Sequence, residues 1–343
     1  MKTIIVSGGM GQDGSLLIEE NLKKGYIVIC VDRWFPIGTG PNLSKKTLEN
    51  KNFILETGDI TEKNFIHRLF EKYKPDYFYN MAAISLVPES FKIPETFLKT
   101  NTIAVLNMLE EIRTYSPKTR FLQASSSEQI GTNREVPQNT DSKMLPNSPY
   151  AISKLASYHL VRSYRQAFGL FATNSMCWNH EGPRRGPDFV TRKITMAVAK
   201  IKNREQNFVS LGNLNAIRDW GNAEDYTKAM IMMLEADKSD DYAIATGESH
   251  SIREFVEEAF KQIGEKITWR GKGLLEVGYN QEGKIRIKID KRFYRPVEVP
   301  QLCGDYSKIK KELGWEPTTR FKQLVEKMVE SDIKLLQQNK RKV

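Results

Sequence analysis

The sequence predicts an α/β protein, built as a doubly wound parallel sheet with a smaller mixed α/β lobe towards the C-terminus. Two observations predict it. From residue 3 to 177, short β-branched and aromatic runs alternate with helical stretches, the pattern of repeated strand–helix–strand units. Glycines cluster at the first strand–helix junction, at the strand ends where such sheets bind ligands. After residue 177 the alternation breaks. The expected division is a sheet domain at 1–175, with about 215–245 returning to it, and a second lobe mainly at 176–343. No repeat or low-complexity linker separates the two, so they are expected to interleave.

In chain order, Thr3-Ile4-Ile5-Val6-Ser7 reads as a buried strand. Gly8, Gly11 and Gly14 follow and open a helix to about Lys24, with Leu16, Leu17 and Leu22 inward and Gly25 ending it. Such glycines let the backbone approach a pyrophosphate, whose charge is met by the helix N-terminus. The next strand, Ile27 to Val31, delivers Asp32 about twenty positions past the glycines, where a carboxylate grips the ribose hydroxyls. Together these features predict a Rossmann-type dinucleotide site. Asp32 favours NAD, and the adjacent Arg33 would suit the 2′-phosphate of NADP. NAD is the expectation and NADP the alternative. A strand at 53–55 leads to Asp59 and Ile60, where Asp59 is placed for adenine or as a helix cap. A helix runs on to Tyr73. The strand over 75–80 ends in Met81, Ala82 and Ala83, small enough for a flat ring to lie close. A helix is expected over 101–114.

The strand at 120–124 ends in Ser125-Ser126-Ser127-Glu128, and a helix over 150–164 carries Tyr150 and Lys154. Residues four apart share a helix face. An ammonium near a phenol stabilises the phenolate and would draw its pKa down from about 10, making Tyr150 a base for an alcohol proton. Beyond a strand at 172–177 come the run 178–186, a helix at 190–202, Phe208 to Gly212, and Arg218-Asp219-Trp220-Gly221. Residues 265–300 are rich in strands and loops, and an amphipathic helix closes the pattern at about 320–337. Arginines, Lys193 and glycines in this half suit a diphosphate.

Bulk properties narrow the classes. The chain has 343 residues, 40% hydrophobic and 27% charged, with no apolar run long enough for a membrane span. The N-terminal residues enter a strand without a cleavage pattern, so a cytoplasmic protein is expected. Cys30, Cys177 and Cys303 lie far apart and read as buried free thiols. Four scattered histidines form no metal-binding pair. The net charge of +10 is spread along the chain, so a phosphorylated small substrate is expected and nucleic acid is not.

With these motifs in hand, the chain resembles extended short-chain dehydrogenase/reductases, and within them the GDP-mannose 4,6-dehydratase family, from about residue 3 to 334. The strings that carry the likeness include Gly11-Gln12-Asp13-Gly14-Ser15, Asn179-His180-Glu181, Pro183-Arg184-Arg185-Gly186 and Val190-Thr191-Arg192-Lys193-Ile194-Thr195. Leu211-Gly212-Asn213, Arg218-Asp219-Trp220-Gly221, Ala245-Thr246-Gly247 and Arg295-Pro296 extend it.

The resemblance implies that Ser126 bonds the sugar 4-hydroxyl, Glu128 is the acid/base, and Tyr150 is the alcohol base. Lys154 is its partner and touches the nicotinamide ribose. It implies a cofactor set of Gly8, Gly11, Gln12, Asp13, Asp32, Arg33, Asp59, Ile60, Met81, Ala82 and Ala83 with Tyr150 and Lys154. It implies a GDP-sugar set of Ser85, Asn179, Arg185, Val190, Lys193, Leu211, Asn213, Arg218, Arg295 and Glu298. The implied reaction removes water by internal redox. Hydride leaves carbon 4 for a tightly bound, recycled cofactor, Glu128 takes the carbon 5 proton and helps the 6-hydroxyl depart, and hydride returns to carbon 6. A homo-oligomer, dimer or tetramer, is implied as well.

Three departures from the family pattern stand out. The loop after the second strand reads Asp32-Arg33-Trp34-Phe35-Pro36 instead of an Arg-Arg-Ser-rich segment. Leu86 replaces a histidine, and the family's Glu-Leu-Tyr-Gly run is Glu128-Gln129-Ile130-Gly131. The last two flank the sugar position, so the substrate is read as GDP-mannose or GDP-D-glycero-D-manno-heptose. Rival readings are an epimerase or 4-reductase, which would not depend on Glu128, and a non-catalytic cofactor-binding protein.

Overall fold

The computed structural model describes residues 1–33, 42–294, 299 and 301–340. The chain begins β1 (Thr3–Ser7), α1 (Gln12–Lys23), β2 (Ile27–Asp32), α2 (Lys45–Leu48), β3 (Phe53–Thr57), α3 (Lys63–Tyr73) and β4 (Tyr77–Asn80). Two short helices, α4 (Val87–Ser90) and α5 (Pro94–Leu98), run through a π-helical turn at Lys99–Ile103 into α6 (Ala104–Tyr115). Then come β5 (Arg120–Ser126), α7 (Pro149–Phe168), β6 (Ala172–Cys177), β7 (Asn179–Glu181), α8 (Val190–Lys202) and β8 (Val209–Leu211). The rest is β9 (Ile217–Arg218), β10 (Trp220–Asn222), α9 (Ala223–Glu235), β11 (Tyr242–Ile244), β12 (His250–Ser251), α10 (Ile252–Lys261) and β13 (Thr268–Arg270). It ends with β14 (Val277–Tyr279), β15 (Ile285–Ile289), α11 (Ser307–Leu313) and α12 (Phe321–Lys340).

Among the described residues, seven parallel strands form one sheet in the order β11-β6-β5-β4-β1-β2-β3. The order reverses between β1 and β4, and loops leaving such a switch point splay apart to open a crevice. One face is covered by α1 and α9, with Leu17, Ile18, Tyr226 and Met230 in its core. The other is covered by α3, α6 and α7, around Phe70, Phe78, Met108 and Val161. On α1 the inward face is Leu17, Ile18, Asn21 and Leu22. Leu16, expected inward, is only half-buried, because at about 100° per residue it falls nearly opposite the face that Leu17, Ile18, Asn21 and Leu22 share.

α7 starts where Ser148 caps it, accepting from the Ala151 amide at 3.1 Å, with Pro149 in the first turn. It stops at Gly169, whose φ of +66° is the left-handed conformation that suits glycine. These two signals fix the position of Tyr150 and Lys154. Beyond β6, a second layer forms from α8, α10 and α12 on the sheet β13-β14-β15-β8, which is antiparallel except where β15 meets β8. Its core holds Ile194, Val198, Phe255, Phe260 and Leu324. α9 and β11 return to the first layer. So do Ile309 and Trp315, with the Trp315 indole donating to the Asp225 carbonyl at 2.9 Å. That later return carries no strand–helix alternation to announce it.

Candidate active site

The glycine loop is held by close contacts that no side chain would survive. A Cβ on Gly14 would lie 2.2 Å from the Gly8 carbonyl oxygen, and one on Gly8, at φ +67°, would lie 2.8 Å from the Ala82 backbone. The loop, the start of α1 and the end of β4 thus close around a cavity of about 370 Å³. Every residue expected to hold the dinucleotide lines it, apart from Tyr150 and Lys154. Ser85 and Arg185, expected on the sugar nucleotide, line it too. The Asp32 carboxylate is fixed at the rim by the Met10 amide at 3.1 Å and the Arg33 amide at 2.8 Å. The Arg33 guanidinium stands 3.9 Å from Asp59, and Asp59 also accepts from the Thr61 amide at 2.8 Å. The donor set and the shape fit a dinucleotide. Gln12 adds a buried Oε1 with no partner among the described residues.

Asp13 adds a charge to this helix start. Its Oδ2 is 2.8 Å from His180 Nε2, and His180 Nδ1 is 2.8 Å from the Trp178 carbonyl. One ring nitrogen faces a carboxylate and the other a carbonyl, an arrangement that favours the doubly protonated ring. Burial alone would lower the His180 pKa, but Asp13 raises it above the usual value. Burial pushes the Asp13 carboxyl up, and His180 and Arg185 together bring it below the usual carboxylate range.

β5 continues to Ser126, two residues past its expected end, and turns into a 3-10 segment at Ser127–Gln129. The Ser126 hydroxyl accepts from the Glu128 amide at 3.2 Å. Ser126, Glu128, Tyr150 and Lys154 are all buried. Burial pushes the Tyr150 phenol up to about 12, with Ser126 pulling it down, Glu128 pushing it up and Arg185 pulling it down. The expected lowering by Lys154 is therefore reversed. The ammonium instead donates to the Ala124 carbonyl at 2.9 Å, and burial lowers its own pKa to about 8. Two groups sharing a helix face need not share a hydrogen bond when a strand carbonyl lies nearer.

The remaining candidates spread over the second layer. Asn179 pairs with Trp220 in the β7–β10 ladder and has a buried Oδ1 with no partner among the described residues. Val190 opens α8, and one turn on, the Lys193 ammonium lies 3.1 Å from the Phe293 ring centre. Burial lowers the Lys193 pKa. Leu211 is buried and accepts from the Asp290 amide at 2.8 Å, while Asn213 accepts from the Asn215 amide at 3.0 Å. Arg218 is buried on β9 and reaches the Val299 carbonyl at 3.2 Å. Arg295 and Glu298 lie outside the described residues. The Arg185 guanidinium stacks 3.5 Å over Phe189 and stands 3.0 Å from Glu181.

A family model for GDP-mannose 4,6 dehydratase matches residues 5–328. The chain belongs to the GDP-mannose 4,6-dehydratase family. Curated relatives include GDP-mannose 4,6 dehydratase 2 of Caenorhabditis elegans, 42% identical over 98% of this chain and 90% of the relative. The GDP-mannose 4,6 dehydratase of Homo sapiens is also 42% identical, over 98% and 92%. Among solved structures, UDP-glucose 4-epimerase from Thermotoga maritima superposes with a TM-score of 0.81 at 25% identity, covering 97% of this chain and 99% of that one. dTDP-glucose 4,6-dehydratase from Bacillus anthracis, solved with NAD, gives 0.80 at 22% identity, covering 97% of each. These likenesses place the fold among Rossmann-type nucleotide-sugar proteins.

Sequence reasoning assigned no role to several residues of this family member's site. Asn101, in the π-helical turn, is 1% exposed. It exchanges hydrogen bonds of 3.0 Å with both the amide and the carbonyl of Ile84 and donates to Ser153 at 3.1 Å. It therefore ties the loop after β4 to the helix bearing Tyr150. A π turn is invisible to a 3.6-residue periodicity, and such turns gather at functional sites. Leu86 stands immediately before α4, and the next residue, Val87, joins Phe97 and Tyr150 in one apolar cluster.

Proposed function

We infer that this protein is a GDP-sugar 4,6-dehydratase, converting GDP-mannose or GDP-D-glycero-D-manno-heptose into the GDP-4-keto-6-deoxy sugar. The observation that carries the reading is a buried Ser126–Glu128–Tyr150 set beside a dinucleotide-shaped cavity, in a chain of this family throughout its length. The dinucleotide, when bound, supplies the acceptor that takes hydride from carbon 4 and gives it back at carbon 6. Tyr150 takes the 4-hydroxyl proton as a phenolate, which the positive charge of the oxidised dinucleotide would stabilise against the burial that otherwise raises its pKa, and Ser126 orients that hydroxyl. The resulting 4-ketone acidifies carbon 5, so Glu128 removes that proton and passes it to the departing 6-hydroxyl; the return of hydride at carbon 6 is balanced by a proton delivered to carbon 5, from Tyr150 or through solvent. Lys154, Met81, Ala82 and Ala83 face the reactive end of the cofactor. Arg218, Lys193 and Asn179 hold the GDP moiety, with Arg185 near the diphosphate. The carboxylate separates this reaction from epimerisation or simple reduction, which need no elimination.

NAD is the preferred dinucleotide in this proposal. Asp32 and Asp59 line the same end of the cavity, and from 32 to 44 the sequence offers one cation, Arg33, placed beside Asp59. A 2′-phosphate there would meet carboxylates. The heptose remains a second reading, resting on the departures at Leu86 and in the run Glu128-Gln129-Ile130-Gly131, which flank the proposed sugar position. A cytoplasmic homo-oligomer, dimer or tetramer, completes the proposal. Among the described residues no helix is long and apolar enough to cross a membrane, and Leu98, Ile103 and Ile152 are exposed on adjoining helices.

The test is mass analysis of each GDP-sugar after incubation with purified protein and no added reductant. Loss of one water is expected, and the faster substrate identifies the sugar. Poor turnover of the heptose beside fast turnover of GDP-mannose would remove the heptose reading. No water lost from either would point to an epimerase or reductase.

A further inference from the structure

The cavity under the glycine loop has walls from two distant parts of the chain. One is the loop itself with Asp32, and the other is Arg184, Arg185, Gly186 and Phe189. The segment 182–186 is tied in two directions, and the two sets of ties differ in kind. Towards the second layer, Arg192 of α8 donates to the Pro183 carbonyl and, at 3.4 Å, to the Arg185 carbonyl. The same guanidinium stands 2.7 Å from Asp332 of α12, whose other oxygen accepts from Thr195 at 2.7 Å. Arg192 is 8% exposed and Asp332 0%.

Towards the first layer, Arg184 donates to Ser15 at 3.0 Å and to Glu19 at 2.6 Å, both on α1. Asn42 bridges the Met10 carbonyl at 3.0 Å and the Arg184 carbonyl at 3.4 Å. Here the side chains of Arg184 and Glu19 are 26% and 21% exposed. Parting a buried ion pair strands charge away from water, whereas a pair at the surface is rehydrated as it opens. The segment is therefore held to the second layer by the more buried contacts; its own side-chain contact with α1, beyond the Asp13–His180 pair that anchors the preceding strand, is the more exposed one.

We propose that residues 182–186 form a clasp over the bound dinucleotide, with the Arg184–Glu19 contact as its release point, so that the cofactor is kept from one turnover to the next. The proposal rests on the dinucleotide reading above. It suits a reaction in which hydride is borrowed and returned, since a cofactor left unchanged by each cycle has no need to exchange. Glu19 acts through Arg184 and is a positioning residue.

The experiment loads wild-type protein with adenine-labelled NAD and, in parallel, NADP, and follows release after a chase of the same unlabelled dinucleotide. Glu19→Gln should release the label about tenfold faster, the effect of about 1.4 kcal/mol lost from the closed state. Glu20→Gln, which removes a charge on the same helix paired outward with Lys23 at 2.6 Å, should release at the wild-type rate. Equal release from wild type and Glu19→Gln would overturn the clasp, as would equal acceleration in both variants. Failure of the wild type to hold either dinucleotide would overturn the cofactor reading, and the clasp with it.

Discussion

Tyr150 and Lys154 sit one turn apart on α7 and both are buried, yet burial acts on them with opposite sign. It favours the neutral form of each, so the phenol is pushed up to about 12 and the ammonium down to about 8. A lysine held near 8 in place of 10.5 costs the folded protein about 3 kcal/mol at neutral pH. Between pH 8 and about 10 the unfolded chain binds more protons at this position, so stability contributed here rises with pH. Above about 10 the unfolded tyrosine ionises first and the trend turns over. Chemical denaturation of cofactor-stripped protein from pH 7 to 10 should show that rise, and Lys154→Met should remove it while raising stability at pH 7 by roughly 2–3 kcal/mol. The same change should abolish turnover. Glu128→Gln should lower dehydration by about 10²–10⁴-fold while leaving oxidation at carbon 4 intact, seen as accumulated 4-keto sugar. The residue types of this cluster were legible in the sequence. The hydrogen bond from Lys154 was not, because the competing carbonyl of Ala124 comes from a strand thirty positions earlier.

At the scale of elements, the junction of β9 and β10 is held by one buried carboxylate. Asp219 is 0% exposed and accepts from the Thr246 amide and hydroxyl at 3.0 and 2.6 Å. It also accepts from the Gly247 amide at 3.0 Å and the Gly304 amide at 3.1 Å. Removing the carboxylate leaves three backbone donors unmatched in the interior. Asp219→Ala should therefore cost about 3–5 kcal/mol, read as a lower denaturation midpoint with loss of sugar-nucleotide binding. The strands as far as β6 and the longer helices between them were legible because each carries its own pattern of hydrophobic residues and turn signals, whereas α2, α4 and α5, of four or five residues each, are too short to show one. In the second layer the helices at 190–202 and about 320–337 were legible, while the rest could be read only as strands and loops. β9 and β12 are two residues each, too short for any period to register, and they pair across more than thirty residues. The inward face of α1 was misjudged at Leu16 for a simpler reason: Leu17 and Leu22 fit more than one choice of face, and the burial of Ile18 and Asn21 selects the one that turns Leu16 aside.

At the scale of the molecule, the switch point of the sheet places the glycine loop, and the clasp at 182–186 brings the second layer against it. In the function proposed above, a cofactor cavity lined mainly by the first 83 residues and closed by 184–189 meets a sugar-nucleotide site drawn mainly from residues after 178. The doubly wound sheet and its nucleotide crevice could be read from the order of motifs alone, since parallel connections admit few topologies. The return of Trp315 to the first layer could not, because it depends on packing against α9. The account's central claim is that hydrogen moves within one sugar from carbon 4 to carbon 6. GDP-mannose carrying deuterium at carbon 4 tests it directly, or the corresponding heptose if that proves the faster substrate. The predicted product has lost one water and carries the deuterium at carbon 6, with no label in the solvent. Deuterium retained at carbon 4 of an intact sugar, or a dehydrated product without label at carbon 6, would contradict the account.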